Sequence, residues 1–156
     1  MTVNLEIKPT GPCTCKFCVK CCEHKPGWFV PDQCDALAKF FNMTIEQVFK
    51  KYLLADYFLF ENREIFLLSP GILVYGENFT GVKFPDDPRG ECVFLNKDDR
   101  CDIHAVKPKE CLCSDHNHDV GGLYMHQEIA REWDSEEHQN FVKHLLKSAR
   151  EREVVK

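Results

Sequence analysis

The sequence lacks the features that mark nucleic-acid-binding and membrane-spanning proteins. Its 20 Lys and Arg residues are outnumbered by 25 Asp and Glu residues, which gives a net charge of −5 with neutral His. Surfaces that collect phosphates usually carry an excess of positive charge, so nucleic acid is not an expected partner. The longest apolar runs, around residues 52–60 and 65–68, fall far short of the roughly 20 residues of a membrane-spanning helix. We therefore expect no membrane segment.

The first residues also lack a secretory pattern. Residues 1–8 contain no basic stretch followed by a hydrophobic one. This predicts a cytoplasmic location, where disulfides are rare. In an oxidising compartment, the even number of cysteines would instead permit a disulfide framework.

Length and composition predict one globular domain. The chain of 156 residues falls within the usual size of a single domain, so we expect residues 1–156 to form one unit. Hydrophobic residues make up 44% and charged residues 29%, which favours a packed core over disorder.

Cysteine, in contrast, is abundant. The chain has 10 cysteines: five in residues 13–22, four in residues 92–113, and Cys34 alone between the groups. In a reducing compartment, such a high cysteine content indicates metal binding or redox chemistry. A shared metal centre would require these two distant segments to converge.

The most informative stretch is a C-x2-C-x2-C-C pattern formed by Cys15, Cys18, Cys21 and Cys22. Two-residue spacers in a turn allow successive sulfurs to point at one centre, so this spacing indicates a metal site. Cys34 differs, because it lies in a predicted helix where a buried cysteine acts as a small hydrophobic residue.

Two helices are predicted between the cysteine groups. One follows Pro31 and places three apolar residues on one side: Leu37, Phe40 and Phe41. The other follows Thr44, because Thr44 and Gln47 fit a capping box, and it runs to about Tyr52.

Short antiparallel strands and a hairpin are expected next. The apolar residues between positions 57 and 75 favour strands. The expected breaks are at Asn62, Arg63, Pro70 and Gly71. A loop is predicted over 84–91. A hairpin with its turn at 96–99 would then bring Cys92 close to Cys101.

Helices are predicted for the rest of the chain. Pro108 can begin a short helix that carries Cys111. Two longer helices should cover about 123–133 and 135–152. The second has an apolar stripe of His138, Phe141, Val142, Leu145, Leu146 and Ala149. The predicted class is α+β: a small single domain in which helices, with a few short antiparallel strands or hairpins, surround a cysteine-rich metal centre.

The combined pattern resembles a known family. The C-x2-C-x2-C-C motif is followed by Cys92-Val93-Phe94-Leu95, then Cys101-Asp102-Ile103-His104, then Lys107-Pro108-x2-Cys111. Over roughly residues 13–113 this is similar to the CxxCxxCC family of zinc- or iron-chelating domains. The resemblance implies seven metal ligands: Cys15, Cys18, Cys21, Cys22, Cys92, Cys101 and Cys111.

The chain departs from the family pattern at several positions. Lys107 stands where the family usually has Arg, and Cys13 and Cys113 have no counterpart in the pattern. His116 and His118 are interpreted as solvated loop residues, and His104 as a hydrogen-bonded structural residue. The remaining histidines lack a comparable sequence context that would suggest a role: His24, His126, His138 and His144.

The cysteine number leaves the metal open between zinc and an iron–sulfur cluster. Tetrahedral zinc takes four ligands, so seven thiolates are too many for one ion and, unless some bridge, too few for two. Adjacent residues such as Cys21 and Cys22 point in different directions and suit two metals or two irons of one cluster. Cys15, Cys18 and Cys21 match the start of a bacterial ferredoxin run, but Lys25-Pro26 replaces its fourth cysteine.

Three functions are compatible with these observations. The leading one is a metal-binding protein in which zinc or an iron–sulfur cluster serves structure, metal handling or electron transfer. An iron–sulfur enzyme or accessory factor with an open iron site is an alternative, although no nucleophile, base and orienter set is visible. Another is an interaction module, in which zinc stabilises a scaffold and the helix after Ser135 binds a protein partner.

Overall fold

The computed structural model describes residues 27–83, 90–98, 100–112 and 122–154, and it confirms the α+β class. The helices are α1 (Gln33–Phe41), α2 (Ile45–Tyr52), α3 (Lys109–Leu112), α4 (Gly122–Trp133) and α5 (Glu136–Val154), with a 3-10 helix at His104–Val106. The strands are β1 (Leu53–Phe60), β2 (Arg63–Pro70), β3 (Ile72–Val74), β4 (Glu77–Phe79) and β5 (Glu91–Cys92). They form one two-stranded antiparallel sheet, β1-β2, and one three-stranded antiparallel sheet in the order β4-β3-β5.

Both helices predicted between the cysteine groups are present. The capping box of α2 is complete, because the Gln47 amide donates to Thr44 Oγ1 at 3.2 Å and the Thr44 amide donates to Gln47 Oε1 at 2.9 Å. In α1, Leu37 is buried and Phe41 packs against the core, but Phe40 is 46% exposed. The buried side of α1 is thus narrower than predicted, because it includes Leu37 and Phe41 but not Phe40. The Phe40 ring packs edge-on against Phe41 at the rim of the core, with ring centroids 5.1 Å apart.

The β1-β2 hairpin is longer than predicted and begins earlier. Its pairing runs from Leu53 with Pro70 to Phe60 with Arg63. The predicted breaks at Arg63 and Pro70 are therefore wrong, since both residues belong to β2. The actual turn is at 61–62, where both residues have positive φ (50° and 63°), as a two-residue type I′ hairpin turn requires.

Cys92 and Cys101 take part in different strand pairings. It lies on β5 opposite Ile72 of β3, whereas Cys101 forms an isolated antiparallel bridge with Leu95. The chain does turn back after Leu95 as predicted, because the Asn96 amide donates to the Arg100 carbonyl at 2.9 Å and the Asp102 amide donates to the Phe94 carbonyl at 2.8 Å. Residues 84–89 of the predicted loop and position 99 of the predicted turn lie outside the described residues.

The two C-terminal helices are confirmed and cover the hairpin. Both α4 and α5 contact β2, and α5 also contacts α2. Three residues of the α5 stripe are buried (Val142, Leu145 and Ala149), and Phe141 and Leu146 are partly buried against the core. In the ranges described, no helix has the length and apolar character required to cross a membrane.

Candidate metal centre

Three of the seven predicted ligands fall in the described residues. Cys92 is buried at the end of β5, and Cys101 and Cys111 are partly exposed. Leu95 connects the first two, because its amide donates to the Cys92 carbonyl at 3.0 Å and it forms the bridge with Cys101. Cys111 is carried by α3, which directly follows Pro108 as predicted.

The other predicted ligands lie outside the described residues. These are Cys15, Cys18, Cys21 and Cys22, and the same holds for Cys13, Cys113, His116 and His118. Within the ranges that are described, no three His, Cys, Asp or Glu side chains lie together as a metal site. Cys92, Cys101 and Cys111 thus do not form a complete site by themselves.

The segment formed by residues 27–28 lies against α3. A methyl group added at Gly27 would lie 2.8 Å from Cβ of Glu110 and only 3.0 Å from Sγ of Cys111. Real Cβ atoms almost never approach a neighbour as closely as the first of these distances. Glycine at position 27 therefore allows the backbone that follows the C-x2-C-x2-C-C motif to pass directly beside the Cys111 sulfur.

Glu110 holds this segment in place. The Trp28 amide donates to Glu110 Oε1 at 2.8 Å, and the Glu110 amide donates to the Trp28 carbonyl at 3.2 Å. The second carboxylate oxygen of Glu110 lies 2.7 Å from Nε2 of His126 on α4. One side chain thus connects α3, the 27–28 segment and α4.

The Trp28 indole is fixed from the other side. Trp28 and Asp56 are each only 3% exposed, and the indole Nε1 donates to Asp56 Oδ2 at 2.8 Å. Asp56 Oδ1 also accepts a hydrogen bond of 2.8 Å from the Tyr57 amide. The His126 ring lies against the indole, with centroids 4.4 Å apart. We call Trp28, Asp56, Glu110 and His126 the Trp28 cluster.

Sequence reasoning missed the Trp28 cluster. The only local signal is Asp56, a carboxylate within the apolar run of β1, because such a residue must be hydrogen-bonded if it is buried. Glu110 precedes Cys111, but an acidic residue at that position is ordinary in sequence. His126 has no neighbouring cysteine that would draw attention to it.

Gln33 provides a second connection to the same region. Its side-chain oxygen accepts from the Val30 and Lys109 amides, each at 3.0 Å. Its side-chain nitrogen donates to the Lys107 carbonyl at 2.9 Å. The start of α1 therefore holds Val30 and the start of α3 together.

Cys34 behaves as the sequence predicted for a cysteine outside the metal site. It is 6% exposed on α1, and burial, with smaller contributions from Asp35 and Asp32, raises the pKa of its thiol to about 12. Since metals bind the thiolate, a thiol with so high a pKa is a poor ligand. Cys34 packs as a small hydrophobic residue of the core.

We predict that Cys34 in the folded protein reacts at least about tenfold more slowly with iodoacetamide at pH 8 than in the unfolded chain, because only the thiolate is nucleophilic. Peptide mapping by mass spectrometry after short exposures, with and without denaturant, measures this ratio at Cys34 alone. Equal rates in the two states would contradict the burial of this thiol.

Comparison with known families agrees with the cysteine pattern. A sequence model of the CxxCxxCC family, whose description is "Putative zinc- or iron-chelating domain", matches residues 14–138. No curated protein and no solved structure matched the chain. The family match includes α1 to α4, β1 to β5 and both cysteine groups except Cys13. Because the match covers about four fifths of the sequence, the protein belongs to the CxxCxxCC family of zinc- or iron-chelating domains.

Proposed function

We propose that the protein binds zinc or an iron–sulfur cluster in one centre shared by its two cysteine groups. The proposed ligands are Cys15, Cys18, Cys21, Cys22, Cys92, Cys101 and Cys111. The observation that supports this most directly is the passage of Gly27 beside the Cys111 sulfur. The chain that follows one cysteine group thereby lies against a member of the other.

Covalent geometry makes the shared centre feasible. Cys22 precedes Gly27 by five residues, and an extended chain spans at most about 3.6 Å per residue, so the two lie within roughly 18 Å of each other. A Cβ atom built on Gly27 would lie only 3.0 Å from the Cys111 sulfur. The tether between Cys22 and Gly27 is therefore short enough to permit a centre that includes both Cys22 and Cys111. Because the described residues alone hold no group of three ligands, a centre that includes Cys111 would need these additional sulfurs.

The chemistry of the donors suits the proposed metals. Cysteine thiolates bind zinc and iron–sulfur clusters, whereas calcium and magnesium prefer oxygen ligands. Lys107 and Lys109 precede Cys111 in the sequence, and positively charged neighbours favour the thiolate form that binds metal. We also propose that the protein is cytoplasmic, because a reducing environment keeps cysteines from forming disulfides.

The decisive experiment is to measure the metal and sulfide content of the full chain, expressed and purified without exposure to air. We expect at least one equivalent of bound metal per chain. Brown protein with iron and sulfide in nearly equal amounts would identify a cluster, and colourless protein with stoichiometric zinc would identify a zinc centre.

Cys34→Ala is the matched control for this measurement, because Cys34 is a cysteine outside the proposed set and its thiol is protonated at neutral pH. This variant should retain the full metal content. Protein that contains neither zinc nor iron when prepared without air would contradict the proposal.

A further inference from the structure

We propose that Glu110 is a positioning residue of the metal centre: it holds the 27–28 segment on α3 and so keeps the N-terminal cysteines within reach of Cys111. This inference rests on the proposed function. It assigns a role to a side chain that is not itself among the proposed ligands.

Glu110 is hydrogen-bonded to the segment that follows the first cysteine group. Main chain and side chain together form a reciprocal pair with Trp28, because Glu110 donates to the Trp28 carbonyl and accepts from the Trp28 amide. Charged acceptors form stronger hydrogen bonds than neutral ones. This pair joins the segment after the first cysteine group to the residue immediately before Cys111.

The helix α3 depends on contacts with the rest of the protein. It has only four residues, and a helix this short is not stable without tertiary contacts. Glu110 and Cys111 are consecutive in it, so a displacement of one residue moves the other. Contacts made by Glu110 therefore restrict where the Cys111 sulfur lies.

Glu110 is also attached to elements that are themselves fixed in the fold. Its second oxygen lies 2.7 Å from His126 Nε2 on α4, and the His126 ring packs on the buried Trp28 indole. That indole is in turn hydrogen-bonded to Asp56 of β1. Through Glu110, α3 is connected both to the hairpin and to α4.

The test compares Glu110→Ala, Glu110→Gln and Asp134→Ala in the full chain carrying its native metal. Asp134 is the matched control, because its carboxylate also pairs with a side chain, that of Arg63 at 2.6 Å, at the end of α4. The rate at which zinc or iron passes to a chromophoric chelator is measured for each variant. The global unfolding rate of the same metal-loaded protein is measured alongside.

We expect Glu110→Ala to release metal about 10–100-fold faster than the unaltered protein, because removing a residue that supports metal ligands usually lowers metal affinity by about that factor and the loss should fall on dissociation. Glu110→Gln keeps an oxygen that can accept from the Trp28 amide and should release metal at an intermediate rate. Asp134→Ala should release metal at the unaltered rate. In Glu110→Ala, release should accelerate by a larger factor than global unfolding.

Gly27→Ala perturbs the same junction without touching the carboxylate. Its methyl group would crowd Glu110 and Cys111, so metal release should again accelerate more than unfolding. If Glu110→Ala releases metal at the unaltered rate, or if release and unfolding accelerate by the same factor, the positioning role is refuted. In those cases the protein still holds metal and the proposed function stands, whereas unaltered protein without metal refutes the proposed function itself.

Discussion

Replacing both Cys18 and Cys101 with Ser is expected to abolish metal binding and to lower the melting temperature of the protein. The double variant removes one proposed ligand from each cysteine group, so neither group can keep the centre intact. A structural zinc site contributes roughly 10–16 kcal/mol of apparent binding free energy. The net stability of a typical domain is only about 5–15 kcal/mol. Loss of the metal should therefore loosen or unfold the region that joins the two groups.

Metal quantification and thermal unfolding followed by circular dichroism measure both effects on the same samples. Cys34→Ala is again the control, since it removes a thiol from α1 and should keep its metal, with at most the modest loss of stability that a small core truncation causes. Full metal content together with an unchanged melting temperature in the double variant would defeat the ligand assignment.

The helices could be predicted because their signals are local. Thr44 and Gln47 are three residues apart and form the capping box that their spacing predicts. The apolar stripe of α5 likewise repeats at helical spacing, and its central residues Val142 and Leu145 are fully buried. Each of these signals depends only on residues within a few turns of one helix.

The strands are harder to predict from the sequence, because tertiary contacts decide where they begin and where the chain turns. Leu53, Leu54, Ala55 and Asp56 are all buried, so β1 begins without the alternation that identifies a half-exposed strand. Residues 81–83 pass alongside, and the Ala55 amide donates to the Val82 carbonyl at 3.0 Å. The turn of the β1-β2 hairpin is Glu61-Asn62, which lacks the glycine that usually marks a type I′ turn.

In the candidate site, too, some features are set by the local sequence and others by tertiary contacts. The cysteine pattern is readable in sequence, because the first group has the two-residue spacings that are typical of metal ligands. The Trp28 cluster is not readable, since its members come from distant parts of the chain. Trp28 lies 28 residues from Asp56 and 82 residues from Glu110 in the sequence. Only the folded chain brings these residues together.

Replacing Trp133 with Ala is expected to lower the free energy of unfolding by about 3–5 kcal/mol, the usual cost of truncating a large buried aromatic side chain. Trp133 is fully buried at the end of α4, and its indole Nε1 donates to the Phe29 carbonyl at 2.8 Å. The substitution thus creates a cavity and leaves a buried carbonyl without this partner. Urea denaturation of samples matched in metal content measures the change.

Two further variants separate the causes of this loss. Trp133→Phe keeps most of the apolar volume but removes the donor to Phe29, so it should cost about 1–3 kcal/mol, the penalty of an unsatisfied buried acceptor. Phe40→Ala removes an aromatic side chain that is 46% exposed and should have a much smaller effect than Trp133→Ala. Because the Phe29 amide also donates to the Leu68 carbonyl at 2.9 Å, residue 29 joins α4 to β2 next to the Trp28 cluster. Equal losses for Trp133→Ala and Phe40→Ala would show that Trp133 does not connect these elements in the folded protein.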